Sequence, residues 1–155
     1  MRTVEQTEVQ PGALMAHAPA SLTAAQLNAT LAPYGLWLPI CPLVANRTLA
    51  DLVTDNSGGR YRLAHGPIGR YLRAASLESG VTLGGPTIKR ATGYGLHRAI
   101  AGDGPSFGAP HAFTFSLHPL PAARSYTLLH CANPLATCQL AESLLQRGVA
   151  LRALA

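Results

Sequence analysis

Three glycine-bearing turns are the parts of this 155-residue chain best suited to hold a ligand: Asn56-Ser57-Gly58-Gly59, Thr82 to Gly85 (TLGG) and Gly102 to Gly108 (GDGPSFG). Glycine permits positive φ and lets a backbone come close to a flat or anionic group. Successive exposed N–H groups in such turns form concavities for phosphate oxygens. Each turn alone reads more readily as an ordinary surface turn than as a ligand loop. The sequence has no GxxxxGK[ST] and no GxGxxG between a strand and a helix, which argues against a P-loop nucleotidase and a Rossmann dehydrogenase.

Other chemistries find less support. Of the six histidines, His111 and His118 fall on opposite faces of a strand and need a bend to converge. His130, Cys131 and Cys138 cluster loosely at a helix start, but HxxxH and CxxC pairs are missing, so no metal site is expected. GxSxG is missing too, and no cysteine has a histidine and an acid arranged around it. With three Asp and four Glu, general acid–base pairs are hard to assemble. Asp103, between two glycines, reads as a turn former.

Nearly half the residues are apolar (48%) and 12% are charged, which describes a folded chain and not a disordered one. The formal charge is +5, and eleven of the twelve basic residues are Arg, the better fork for phosphate or carboxylate. These arginines are dispersed. Arg60, Tyr61 and Arg62 are the one local hint of a nucleic-acid footprint, which wants a clustered basic face, so nucleic acid is not expected as a partner. No stretch approaches the roughly 20 apolar residues of a membrane span. Glu5 and Glu8 sit where a signal peptide would be basic and then apolar, so a cytoplasmic location is expected. Three irregularly spaced cysteines do not describe a disulfide framework.

The turns need elements to hold them. A strand is expected over Ala13 to Ala18, then a helix to Ala32 capped by Ser21 or Thr23, with Ala24, Leu27 and Leu31 on one face. Gly35 to Pro42 reads as an extended loop or edge strand. Thr48 caps a short helix through Val53. Leu72 to Leu77 and Val81 to Leu83 form a hairpin around Ser79 and Gly80. Thr92 caps a helix placing Leu96, Ala99 and Ile100 together, stopped by Gly102. The clearest strand points Phe113, Phe115 and Leu117 one way and Thr114, Ser116 and His118 the other, and His118 to Pro121 ends it. Beyond it come a strand over Ser125 to His130, a helix bracketed by Asn133, Pro134 and Gly148 with the stripe Ala136, Leu140, Ala141, Leu144 and Leu145, and a strand over Val149 to Leu154.

In this order the segments resemble the vanillyl-alcohol-oxidase family, whose flavin-binding domain is of the PCMH type, and most nearly its glycolate-oxidase and D-lactate-dehydrogenase-like members. Leu27 to Ile40 (LNATLAPYGLWLPI) is similar to LNxxLxxxGLxxPxxP. Thr48 to Leu72 (TLADLVTDNSGGRYRLAHGPIGRYL) is similar to TxGGxxAxNxxGxxxxxYGxxxD. Gly84 to Gly102 (GGPTIKRATGYGLHRAIAG) is similar to GGxxxKxxxGYDLxxLxxG. Gly102 to Pro121 (GDGPSFGAPHAFTFSLHPLP) is similar to GSEGTLGVITxxxLxLxPxP. Four matches in family order say more than any one alone.

The resemblance implies an α+β fold: the second lobe of the FAD-binding domain over residues 1–121, then the first βα unit of a ferredoxin-like substrate-binding cap over 122–155. It implies FAD between two lobes, lined here by Asn56, Ser57, Gly58, Gly59, Gly66, Gly102, Gly104 and Gly108, largely through backbone N–H groups. The implied activity is oxidation of a small 2-hydroxy acid such as glycolate or D-lactate. The departures are His65 for the family's Tyr, Gly95 for the acid of GYDL, and DGPSFG for SEGTLG, where Pro105 cannot donate. The first lobe and most of the cap are expected to lie outside the chain, on a partner chain or met by self-association, and with them the family's catalytic His, Arg and acid. The alternative is a non-catalytic remnant or accessory subunit that keeps the fold and has lost FAD.

Overall fold

A computed structural model describes residues 6–85, 96–123, 125, 127 and 129–148. Its centre is a five-stranded antiparallel sheet in the order β1 (Glu8–Gln10), β2 (Met15–Pro19), β6 (Pro110–Ser116), β4 (Leu72–Leu77), β5 (Thr82–Gly84). Alternation along β6 turns Phe113 and Phe115 to one face, where both are fully buried. They face Ala18 and Ala16 across β2, and Ala75 and Leu72 across β4. Small residues beside the rings leave room for Phe113 and Phe115 to lie 5.8 Å apart, tilted by 46°.

Two short helices cover this face. α1 (Ala24–Leu31) buries Ala24, Leu27 and Leu31, and α2 (Leu49–Thr54) buries Leu49, Leu52 and Val53, all in one core. Both begin with a capping box, Thr23 with Gln26 and Thr48 with Asp51, which satisfies amides a helix start leaves unpaired. The two starts are joined: Thr23 bridges Thr48, and the N–H of Leu49 donates to the Leu22 carbonyl at 2.7 Å.

The α+β class, the hairpin, both helix caps and the Phe113 strand agree with expectation. The segment after α1 is more deeply buried than an edge. β3 (Leu36–Trp37) pairs with β7 (His118–Pro119), and Leu38, Pro39 and Ile40 are buried behind it. Asn28 makes this possible: its side-chain amide donates to the Leu38 carbonyl at 3.0 Å and accepts from the Leu38 N–H at 2.7 Å. His118 to Pro121 thus ends β6 and re-pairs in a second sheet. The TLGG segment is mostly a strand, with Thr82, Leu83 and Gly84 opposite Ser76, Ala75 and Ala74. Strand β1 was not anticipated.

α3 (Arg62–His65) and α4 (Leu96–Ala99) are single turns, and Thr92, the expected cap of the latter, lies outside the described residues. α5 (Pro134–Gln146) has its expected cap, with Asn133 accepting from the Ala136 N–H, yet none of its residues is buried. The strand expected over Ser125 to His130 is a correction: the described residues 125, 127, 129 and 130 belong to none, because among the described residues no neighbouring strand offers them partners. The strand expected over Val149 to Leu154 lies outside the described residues.

Thr48→Ala should cost about 1 kcal/mol of stability, read from urea unfolding. The hydroxyl and N–H of Thr48 both donate to Asp51, holding its carboxyl below the ordinary value of 3.8. A lowered folded pKa stabilises the protein above 3.8, and that stability fades as pH falls through the depressed value. Asp51→Asn should flatten this acid limb of the urea midpoint; an unchanged pH profile would contradict the cap.

Candidate functional site

The C-terminal end of α2 gathers most of the expected site. Asn56 takes φ +47°, a conformation asparagine tolerates better than most residues. Its N–H donates to the Val53 carbonyl at 3.0 Å, and Ser57 N–H to the Leu52 carbonyl at 2.8 Å. The same Val53 carbonyl accepts from Gly102 N–H at 3.1 Å, and the Ser57 carbonyl accepts from Ile68 N–H at 2.8 Å. The Asn56 side-chain oxygen accepts from Gly69 N–H at 3.0 Å. Gly69 is tightly enclosed: a Cβ there would lie 2.6 Å from Cβ of Ala101 and 2.7 Å from Oδ1 of Asn56.

Gly58 and Gly59 do internal work. A Cβ on Gly58 would lie 2.7 Å from Cβ and Cγ of Arg62 and 3.0 Å from the Gly66 carbonyl oxygen. Gly59, at φ +56°, passes so close to Cys41 that a Cβ would fall 1.8 Å from its carbonyl oxygen, which also accepts from Arg60 N–H. Asn56, Ser57, Gly58, Gly59, Gly66 and Gly102 are therefore brought together. Gly104 opens a 3-10 turn (Gly104–Phe107), and Ser106 within that turn donates to Asp103 at 2.9 Å. Gly108 stands apart. It enters β6 where Pro110 faces Leu77, at the far end of β4 from Gly69, and a Cβ there would meet nothing within 4 Å.

The amides expected to face a ligand are partly committed within the fold. Those of Asn56, Ser57, Gly66 and Gly102 donate to the carbonyls of Val53, Leu52, Arg62 and Val53. Space for an approaching group remains over Gly102, where the nearest atom to a Cβ would be Asn56 Cβ at 3.8 Å, and over Gly108.

Sequence reasoning missed an aromatic cluster beside Gly66. His65 packs edge-on against Trp37, Tyr61 and His118, with ring centres 5.6, 6.1 and 5.9 Å away. Tyr71 lies against His118, and its hydroxyl donates to the His65 carbonyl at 2.6 Å. Burial pushes the Tyr71 hydroxyl up, and the nearby Arg70 charge opposes it. The spacing of Tyr61 and His65 was a usable signal, since such residues share a helix face. The opposite face of the sheet holds a shallow cavity of about 160 Å³ lined by Glu8, Gln10, Met15, Ala16, His17 and Thr114. There His17 Nδ1 lies 2.9 Å from Thr114 Oγ1; burial lowers the His17 pKa, with Glu8 opposing and His111 adding.

Among the described residues no group of three or more His, Cys, Asp or Glu side chains could hold a metal, and no helix is long and apolar enough to cross a membrane. Cys41, Cys131 and Cys138 are free thiols. The α+β architecture is shared with solved proteins. A structure of an alkyldihydroxyacetonephosphate synthase superposes with a TM-score of 0.63 at 20% identity, over 79% of this chain. This chain spans 23% of the length of that one. No protein-family model matches the sequence. No curated protein matches it either.

Gly59→Ala should destabilise the fold by more than about 2 kcal/mol, since positive φ and a backbone clash add. Gly108→Ala, strained only by φ +93° in open space, should cost about 1 kcal/mol. Thermal unfolding of the two variants tests the order, and equal midpoints would contradict the packing at Cys41.

Proposed function

We propose that this chain is the second lobe of a PCMH-type flavin-binding module over residues 1–121, followed by the start of a substrate-binding cap over 122–155, in a cytoplasmic oxidoreductase. The observation that carries the reading is the fold likeness to an alkyldihydroxyacetonephosphate synthase over 79% of the chain. The four ordered sequence segments support it independently.

FAD would lie along Asn56, Ser57, Gly58, Gly59, Gly66, Gly102, Gly104 and Gly108. Gly102 and Gly108 fit such a role best, because both have positive φ and a Cβ would meet only Asn56 Cβ at 3.8 Å at Gly102 and nothing within 4 Å at Gly108, so a flat ring or a ribityl chain can approach the backbone there. Gly58 and Gly59 fit indirectly, by letting the turn close against Arg62 and Cys41. The bound flavin supplies the redox chemistry, and this lobe contributes orientation and exclusion of water on one side. The rest of the envelope would come from outside residues 1–155. A small 2-hydroxy acid such as glycolate or D-lactate is the substrate class, and this rests on the sequence segments alone.

A second reading, a remnant or accessory subunit that keeps the fold without FAD, is favoured by the four amides that donate inward. Flavin absorbance separates the two. The isolated chain should bind FAD more weakly than about 1 μM, whereas a complex with a complementary lobe should retain it. Submicromolar binding by the chain alone would overturn the half-site. A complete complex that purifies colourless and takes up no FAD would favour the remnant.

A further inference from the structure

Strand β1 is a short edge strand. It pairs only with β2, over three residues: Glu8 with His17, Val9 with Ala16 and Gln10 with Met15. Of its side chains only Val9 packs against the core. β2, by contrast, is held on both sides, and its ladder with β6 runs over five residues. Alternation turns Glu8, Gln10, Met15, His17 and Thr114 to the face away from Phe113. Together with Ala16 they line the shallow cavity of about 160 Å³.

His17 stands in the middle of this row, half-buried. Glu8 faces it from β1 and Thr114 from β6, with Nδ1 of His17 2.9 Å from Thr114 Oγ1. His111, also on β6, is near enough for a charge on it to oppose a charge on His17. Its own Nδ1 is buried with no hydrogen-bond partner among the described residues. Gln10 adds an uncharged amide. Glu8 is the carboxylate that acts on His17, and among the described residues the two form no ion pair.

An imidazolium needs more water than this setting admits. Two sides of the cavity are interior strands, β2 and β6; the third is β1, which supplies Glu8 and Gln10. Moving β1 aside lets solvent reach the ring at the smallest cost in strand pairing. We propose that His17 is an acid-sensitive latch on β1: gaining a proton releases the edge strand from β2 and opens this face of the sheet. Release leaves β2 as the new edge, its backbone groups open to water or to another strand. Burial is the larger influence on His17 and lowers its pKa below the ordinary 6.5; the Glu8 charge opposes this, and His111 adds to it. Docking of β1 is therefore favoured in full above 6.5, weakens as pH falls through 6.5, and levels off below the depressed value. Glu8 works against release, since its carboxylate attracts the imidazolium. The latch does not depend on the flavin reading, because none of its residues belongs to the candidate FAD wall.

Hydrogen exchange of the full 155-residue chain, followed amide by amide at about pH 7.5 and about pH 5 and corrected for the intrinsic rate, tests the latch. Amides of β1 should lose protection at the lower pH while those of β4 and β6 keep theirs. The loss should track the titration of the His17 ring in proton NMR. His17→Gln keeps a hydrogen-bonding group beside Thr114 but takes up no proton in this range, so it should remove the response. Glu8→Gln should enlarge it. Equal β1 protection at both pH values, or a response retained in folded His17→Gln, would overturn the latch. So would protection lost together from β1, β4 and β6, which is global unfolding. Should His17→Gln not fold, the wild-type chain still decides, because a β1 midpoint that departs from the His17 ring titration overturns the latch as well.

Discussion

The carbonyl of Val53 accepts from the amides of Asn56 and Gly102, and much of the candidate site hangs on that shared acceptor. A helix C-terminus leaves carbonyls unsatisfied. At the end of α2 they are met by the turn that follows and by a strand-side loop nearly fifty positions later in sequence. Asn56 completes the junction by turning its side chain to Gly69. The following turn and two segments distant in sequence are thereby fixed to one helix end, the Gly102 loop by a backbone bond and Gly69 through the Asn56 side chain. Side chains on their outer surfaces can then vary without losing the arrangement.

The same economy explains where the glycines stand. Gly58, Gly59 and Gly69 are enclosed, and added side chains would meet Arg62, Cys41 or Ala101. At Gly102 a side chain would meet only an ordinary contact with Asn56, and at Gly108 nothing within 4 Å. A glycine-rich wall is therefore two things at once: a set of close internal approaches that shape it, and a smaller set of bare positions that another group can reach. Pattern matching on glycine alone does not separate them, since both kinds are equally permissive in φ.

The sheet divides the molecule's polar chemistry. One face is sealed by Phe113, Phe115 and the two capped helices. The other carries His17, Thr114 and a shallow cavity. The aromatic cluster around His65 lies beyond the end of β6, where β3 and β7 form a second small ladder. α5, whose apolar stripe finds no buried place, belongs to the part of the chain least constrained by this core.

The α+β class, both capping boxes, the hairpin and the core-facing side of β6 were legible in the sequence, because each rests on neighbours within a few residues. Thr48 with Asp51, or Phe113 with Phe115, carries its own instruction. The turns at Asn56 and Gly102 were legible as turns. That they share one carbonyl, while Gly108 lies at the other end of β4, was decided only by tertiary structure. So were the burial of Leu36 to Ile40, which depends on Asn28 satisfying Leu38, and the packing of the His65 ring among Trp37, Tyr61 and His118. Local periodicity reports which way a residue faces; it holds no information about which distant carbonyl, ring or guanidinium arrives to meet it.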